Sequence, residues 1–201
     1  RKAPLFAPGG HSTQMIVGAD ASDDAAILQT SAKLYTGVGL KRVYYSAFSP
    51  IPDASKRLPL AAPPLMREHR LYQADWMLRF YGFSVGEIIA NAQGGLLDLD
   101  VDPKMAWALM NRQSFPVDLN RAPREMLLRV PGLGTKGVGA VVRARRFGRL
   151  RLADVERLCR STRKMRPWII AEDWHPGARL DSDMLRAQMA RPAKQMDLFA
   201  A

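Results

Sequence analysis

The residues best placed to do chemistry lie in one run, Leu127-Leu128-Arg129-Val130-Pro131-Gly132-Leu133-Gly134-Thr135-Lys136. Its order is an apolar helix end, a glycine turn and a new helix start. Pro131 has no N–H to donate and its ring clashes with a preceding helical turn, so an incoming helix stops there. Gly132 and Gly134 both admit positive φ and leave their N–H groups uncovered by side chains. The second helix is expected from Thr135, with Val138, Val141 and Val142 on one face. Glycine amides at a helix N-terminus, next to the ammonium of Lys136, form a site for a phosphate group.

Charge points the same way. Residues 121–170 carry fourteen Lys and Arg against three Asp and Glu, so the chain's net charge of +11 resides in that segment and the remainder is neutral. A basic surplus confined to one module is an electrostatic footprint for a polyanion. Arg143, Arg145, Arg146, Arg149 and Arg151 either belong to that footprint or form an ordinary solvated face. An anionic membrane surface calls for a basic amphipathic helix without the glycine turn, and no apolar stretch approaches a membrane span. The turn resembles the helix-hairpin-helix element of DNA repair and recombination proteins. That resemblance implies sequence-independent binding to DNA through Val130, Gly132, Leu133, Gly134, Thr135 and Lys136, with Arg143 on the following helix.

Lys136 has a second reading. Turns of the form V-P-G-L-G-x-K resemble those of endonuclease III-like glycosylases, where such a lysine attacks the sugar as a Schiff-base nucleophile. Asp154 lies downstream at about the right distance for the partner carboxylate, but it sits in an Arg-Leu-Ala-Asp-Val-Glu run that reads as a helix start. A phosphate contact is the commoner use of the position. His11, His69 and His175 are dispersed and show no metal-ligand spacing. The basic run around Cys159 would lower a thiol pKa, yet a lone cysteine without a nearby base reads as a small buried residue. Asp98, Asp100 and Asp102 alternate along an extended 94–102 segment. They lack the central glycine and terminal glutamate of a calcium loop, so Asp102 is expected to cap the helix that Pro103 opens.

These elements need a scaffold, and the first third reads as α/β. Two short strand-like runs, 13–19 and 41–48, flank a helical pattern that Ser22 and Asp23 cap and Gly37 and Gly39 close. This is one βαβ unit with parallel strands. A parallel sheet needs both faces buried, so further strands are expected upstream of Arg1. Residues 49–64, with five prolines, form a loop or lid. A long amphipathic helix follows over 65–81, and Ser84-Val85-Gly86-Glu87 has capping-box spacing. Asn120 is the expected N-cap of the first helix of the basic module. Residues 150–158 and 164–170 form a second short helical pair, which makes a tandem four-helix module. The domains are therefore 1–117, an α/β part with its following helices; 118–172, the basic helical module; and 173–201, a C-terminal extension. One cysteine excludes a disulfide framework and no secretory signal is present, so a cytoplasmic location is expected.

At the C-terminus, Gln195-Met196-Asp197-Leu198-Phe199 resembles the peptide by which bacterial proteins dock on the DNA polymerase sliding clamp. The resemblance implies that Leu198 and Phe199 enter an apolar pocket while the Gln195 amide bonds at its rim. Met196 stands where leucine is usual, a swap that a flexible apolar side chain allows. The alternative is a tail folded back onto its own domain.

Three longer segments carry a further resemblance. They are Ala7-Pro8-Gly9-Gly10-His11-Ser12-Thr13-Gln14-Met15-Ile16-Val17-Gly18-Ala19, Arg42-Val43-Tyr44-Tyr45-Ser46-Ala47-Phe48-Ser49-Pro50-Ile51-Pro52 and Arg67-Glu68-His69-Arg70-Leu71-Tyr72-Gln73-Ala74-Asp75-Trp76. Together they resemble the C-terminal half of a radical-SAM protein family of DNA modification or repair, encoded in bacteria near a uracil-DNA-glycosylase-like protein. The fold this implies is the terminal βαβ part of a partial TIM barrel followed by an all-helical helix-hairpin-helix module. The implied cofactors of the full-length parent are S-adenosylmethionine and a 4Fe-4S cluster. Gln14, Gly18 and Ser46 would line the adenosyl side, and the implied partners are DNA, the clamp and the glycosylase-like protein. The family's C-x3-C-x2-C cluster motif is absent from this chain, which is therefore not expected to be catalytic alone. A non-catalytic DNA-binding and clamp-tethering module is the competing reading.

Overall fold

The structure is a computed structural model that describes residues 7–53, 55–90, 92–159, 162–180 and 184–190. It is a mixed α/β chain with eight α-helices and only short parallel strands among the described residues, and no closed barrel. Two compact units divide it, Arg1–Leu99 and Asp100–Ala201.

In the first unit, β1 (Ser12–Val17) and β2 (Arg42–Ala47) run parallel, joined by α1 (Asp24–Gly37), as the sequence pattern requires. Asp23 caps α1 by accepting from the Ala26 N–H at 2.7 Å. Strand alternation places Val17, Val43 and Tyr45 inside against α1 and α2 (Leu65–Phe80), while Gln14, Ile16 and Tyr44 stay exposed on the other face. The outer edge of β2 meets side chains instead of a third strand. The Val43 N–H donates to the Tyr35 hydroxyl at 3.0 Å, the Tyr45 N–H to the Tyr72 hydroxyl at 3.0 Å, and the Ala47 N–H to the Glu68 carboxylate at 2.8 Å. The long 65–81 pattern is one helix, but its expected apolar stripe is not all buried. Trp76 and Phe80 are 46% and 42% exposed, and the Arg79 guanidinium lies over the Phe80 ring. Arg79 is there because its Nε donates to the buried Asp75, 2.9 Å away, which also accepts from the Tyr35 and Tyr45 hydroxyls.

Ser84 and Glu87 form the expected capping box at the start of α3 (Val85–Ile89). The extended reading of 94–102 needs correction. Gly94 and Gly95 both take positive φ, and the segment turns back on itself at a Gln93–Leu96 bridge. Beyond that turn, the Arg70 guanidinium donates to the backbone carbonyls of Asp98 and Leu99.

The second unit starts with α4 (Pro103–Met110), capped by Asp102 through the Met105 N–H at 2.9 Å, with Pro103 at the first position as expected. After it come β3 (Val117–Asp118), α5 (Arg124–Arg129), α6 (Thr135–Ala144), α7 (Leu152–Leu158), β4 (Ile169–Ile170) and α8 (Leu185–Met189). The second helical pair is only half formed. Residues 166–168 make a single 3-10 turn, because Pro167 removes an N–H, and the β-branched Ile169 and Ile170 pair in parallel with Val117 and Asp118. The core of this unit is built from Trp168, Leu119, Leu127, Leu133, Val138, Val141, Val155 and Met165, all 1% exposed or less.

Asp24 is wholly buried and answered twice, by Arg67 Nε at 2.6 Å and by the Leu97 N–H at 2.9 Å. Asp24→Ala leaves Arg67, itself only 13% exposed, without its charge partner. It should cost about 3 kcal/mol of stability by urea denaturation, as for other broken buried pairs. A loss below about 0.5 kcal/mol, typical of a surface site, would contradict this account.

Candidate nucleic-acid interface

Helix α5 ends at Arg129, and Val130 leaves the helix with extended ψ ahead of Pro131. Gly132 then takes φ of +80, a conformation that L side chains rarely adopt. Gly134 departs from expectation: its φ is −88 and ψ 170, an ordinary extended N-cap, so it needs no glycine for its backbone angles. Its value is that no side chain caps the start of α6. The first amides of a helix have no intrahelical acceptor, so those of Thr135, Lys136 and Gly137 head an uncapped N-terminus.

The turn is fixed from inside. Leu133 is 1% exposed and packs against Gly137, where a Cβ would approach Leu133 Cδ1 to 2.9 Å and Cys159 Sγ to 3.3 Å. Val130 is equally buried. Val130 and Leu133 can therefore offer a ligand only backbone atoms. Lys136 and Arg143 are exposed seven residues apart on one stripe of α6. Between them Gly139 leaves a bare strip of helix, and Arg143 Nη1 lies 3.4 Å from where its Cβ would be. The guanidinium thus lies back along α6 toward its N-terminus. A Cβ on Gly132 would sit 3.3 Å from Lys164 Cβ and 3.4 Å from the Met165 N, so the turn after α7 packs against the first turn. Exposed Arg163 and Lys164 stand beside it.

The structure sorts the basic cluster. Arg145 is taken up internally, donating to the carbonyls of Leu119 and Ala122 at 3.1 and 2.7 Å and so fixing the approach to α5. Arg149 faces Glu172 at 3.9 Å, Arg151 faces Asp173 at 4.0 Å, and Arg166 pairs with Glu156. Among the described residues no ion pair engages Lys136, Arg143, Arg146 or Arg163. Asn120 is not the N-cap of α5, a position held by Pro123. It exchanges two hydrogen bonds with the Leu150 backbone, at 2.7 and 3.2 Å, and ties the approaches to α5 and α7 together.

Lys104 was not singled out from the sequence. It is 7% exposed in an otherwise apolar helix, and its ammonium donates to the carbonyl of Leu128 at 2.9 Å and that of Leu133 at 2.6 Å. These carbonyls lie on either side of the turn, one near the end of α5 and one just before α6. Burial pushes the Lys104 pKa down to about 7, against the attraction of the Asp102 carboxylate. Cys159 is half-buried beside Gly137, and burial raises its pKa, contrary to the lowering that its basic neighbours alone would give. Asp154 accepts from the Arg151 N–H at 3.0 Å as part of the α7 start.

In the first unit, Gln14 and Ser46 meet on the open face of the sheet, with Gln14 Nε2 donating to Ser46 Oγ at 2.7 Å. Gly18 follows the end of β1 with φ of +79 and lies against the Pro63 ring. Among the described residues no group of three His, Cys, Asp or Glu could hold a metal ion, and no helix is long and apolar enough to cross a membrane. Gln195, Leu198 and Phe199 lie outside the described residues. No protein-family profile, no curated protein and no solved structure matches the chain.

The depressed Lys104 pKa sets a pH dependence. Above about pH 7 the folded chain releases a proton that the unfolded chain keeps until near its ordinary value, so the unfolded state binds more protons across that window. Stability should therefore rise with pH from about 7 towards 10, by at most about 1.4 kcal/mol per pH unit from this group, and this contribution should be flat below 7. Denaturation of wild type and Lys104→Met across that range isolates the contribution as their difference. A difference that falls with pH would mean the ammonium is stabilised where it lies.

Proposed function

We propose that the second unit binds the sugar–phosphate backbone of DNA, without reading its sequence, through a helix-hairpin-helix formed by α5, the 130–134 turn and α6. The observation that carries this reading is the uncapped N-terminus of α6 behind Gly132 and Gly134, with Lys136 and Arg143 on one stripe beside it. Helix amides and the helix dipole favour an anion at that point, and the two cations extend the field along the helix. Val130 and Leu133 hold the turn, and Gly134 and Thr135 present it. The Schiff-base reading of Lys136 is weaker, because the carboxylate it needs, Asp154, is engaged at the start of α7.

The wider reading is that the chain is the C-terminal part of a radical-SAM protein acting in DNA modification or repair. It is supported by the parallel β1–β2 pair and by the open face carrying Gln14, Ile16, Tyr44 and Ser46. The Gln14–Ser46 hydrogen bond puts two of the residues that the resemblance assigns to the adenosyl side on that face. The single cysteine does not fit a 4Fe-4S cluster, so no step is assigned to this chain through that group. A glycosylase-like partner and a cytoplasmic setting belong to the same reading.

Binding to a labelled duplex should weaken steeply with salt, with a log–log slope of roughly −0.9 per phosphate neutralised, and vary little with base sequence. Lys136→Ala with Arg143→Ala should lessen that slope by about two and weaken binding at least about tenfold. Gly134→Val should remove binding without unfolding the chain, since its φ of −88 suits valine. Lys33→Ala, an exposed cation on α1, should change nothing. Salt-independent binding, or equal losses from the α1 and α6 variants, would refute the assignment.

The tail reading is tested separately. A peptide of residues 192–201 should bind a bacterial sliding clamp with micromolar affinity, since a short chain must be ordered as it docks. Leu198→Ala with Phe199→Ala should abolish clamp binding and leave DNA binding unchanged. Retained clamp binding by that variant would dismiss the motif.

A further inference from the structure

Resting on the DNA-binding reading above, we propose that Lys104 is a positioning residue for the phosphate site, a buried ammonium that clamps both sides of the 130–134 turn and sets its positive charge behind the amides that meet DNA. The geometry is specific. One nitrogen reaches the Leu128 carbonyl, 24 residues along the chain, and the Leu133 carbonyl, 29 residues along. Leu128 is next to the last residue of α5 and Leu133 immediately precedes the N-cap of α6, so one side chain fixes the separation of the two helices at the turn. The Leu128 carbonyl, near the end of α5, lacks an intrahelical donor, and here a charged donor supplies it.

The same nitrogen bears on ligand charge. Leu133 is two residues from Thr135, the first residue of α6, and the ammonium donates to the Leu133 carbonyl, so the charge is held at the turn that leads into the amides proposed to face a phosphate. In an interior of low effective dielectric an ammonium so placed acts on a charge at the turn with little screening. A phosphodiester arriving at the turn therefore favours protonated Lys104, and by linkage protonated Lys104 favours the phosphodiester.

The charged group that acts on Lys104 is the Asp102 carboxylate, whose attraction opposes the effect of burial. Asp102 caps α4 and meets the Lys164 ammonium at 3.7 Å, Arg129 of α5 lies over the Trp107 ring, and Lys136 heads α6. Cys159 is held above its ordinary pKa by burial, and His175, exposed and hydrogen-bonded to the Gly177 N–H, is common to wild type and variant.

The experiment measures affinity of the full chain for a fluorescent duplex of mixed sequence at fixed salt, from about pH 6.5 to about pH 9, for wild type and Lys104→Met. Methionine is unbranched, of similar length and apolar, so it fills the same space without the charge; it leaves the Leu128 and Leu133 carbonyls without that donor, so urea denaturation first establishes that the variant is folded. Wild-type Kd is expected to rise about tenfold over that interval, the equivalent of a one-unit pKa rise on binding. Lys104→Met should show a flat profile at the weak, high-pH value. Calorimetry near pH 7.5 in buffers of different ionisation heat should show a fraction of a proton taken up by wild type and none by the variant. DNA binding by wild type that is independent of pH, or a variant with the wild-type slope, overturns the role of Lys104 and leaves the DNA-binding reading standing. No binding by wild type at any pH in low salt overturns both. If Lys104→Met fails to fold, wild-type proton uptake decides, and its absence overturns the proposal.

Discussion

A tight turn between two short helices brings unsatisfied polar groups from both helix ends into a small volume. Carbonyls at the end of α5 and amides at the start of α6 have no partners within their own helices, and neither helix is long enough to be stable without packing. The second unit answers the two sets differently. The Leu128 carbonyl of α5 is met from within by the Lys104 ammonium, which also holds the Leu133 carbonyl of the turn, while the amides of α6 are left without a side-chain cap. The rest of the unit follows from that asymmetry: Leu133 wedged on Gly137, the second turn packed on Gly132, and Arg143 laid back along bare Gly139.

What could be read in the sequence was the local part. Pro131 as a stop, the start of α6 at Thr135, Asp23 and Asp102 as caps and the Ser84–Glu87 box all depend on residues within four positions of one another. Their physics is short-ranged, and the structure matches it. The βαβ unit was legible for a related reason, since strand alternation and one intervening helix leave little choice of topology.

The turn at Gly94 and Gly95 is also local, yet the alternation of aspartates around it reads as extended chain; the other departures depend on distant partners. Asn120 has the chemistry of an N-cap, but its partner is Leu150, thirty residues on. Arg145 looks in sequence like its neighbours Arg143 and Arg146, and only the fold brings it to the carbonyls of Leu119 and Ala122. Lys104 carried a signal, one charge in the apolar helix Pro103-Lys104-Met105-Ala106-Trp107-Ala108-Leu109-Met110. That pattern says the ammonium must find acceptors, yet nothing in it says which. Residues 164–170 failed as a helix because a single proline and two β-branched residues found a ladder partner in β3, far back in the chain.

The side-chain oxygens along the outer edge of β2 have a consequence for how the first unit comes together. Tyr72 and Glu68 belong to α2, so two of the three edge amides gain acceptors only once that helix has docked. Until then β2 presents a bare row of donors, the template on which strands of separate molecules add. Exchange protection at the Tyr45 and Ala47 amides thus reports α2 docking, whereas protection at Val43, bonded to Tyr35 of α1, reports closure of the βαβ turn. A fluctuation that lifts α2 alone would reopen the strand to a neighbouring chain while leaving the parallel pair intact, and that is where misassembly of this unit would begin.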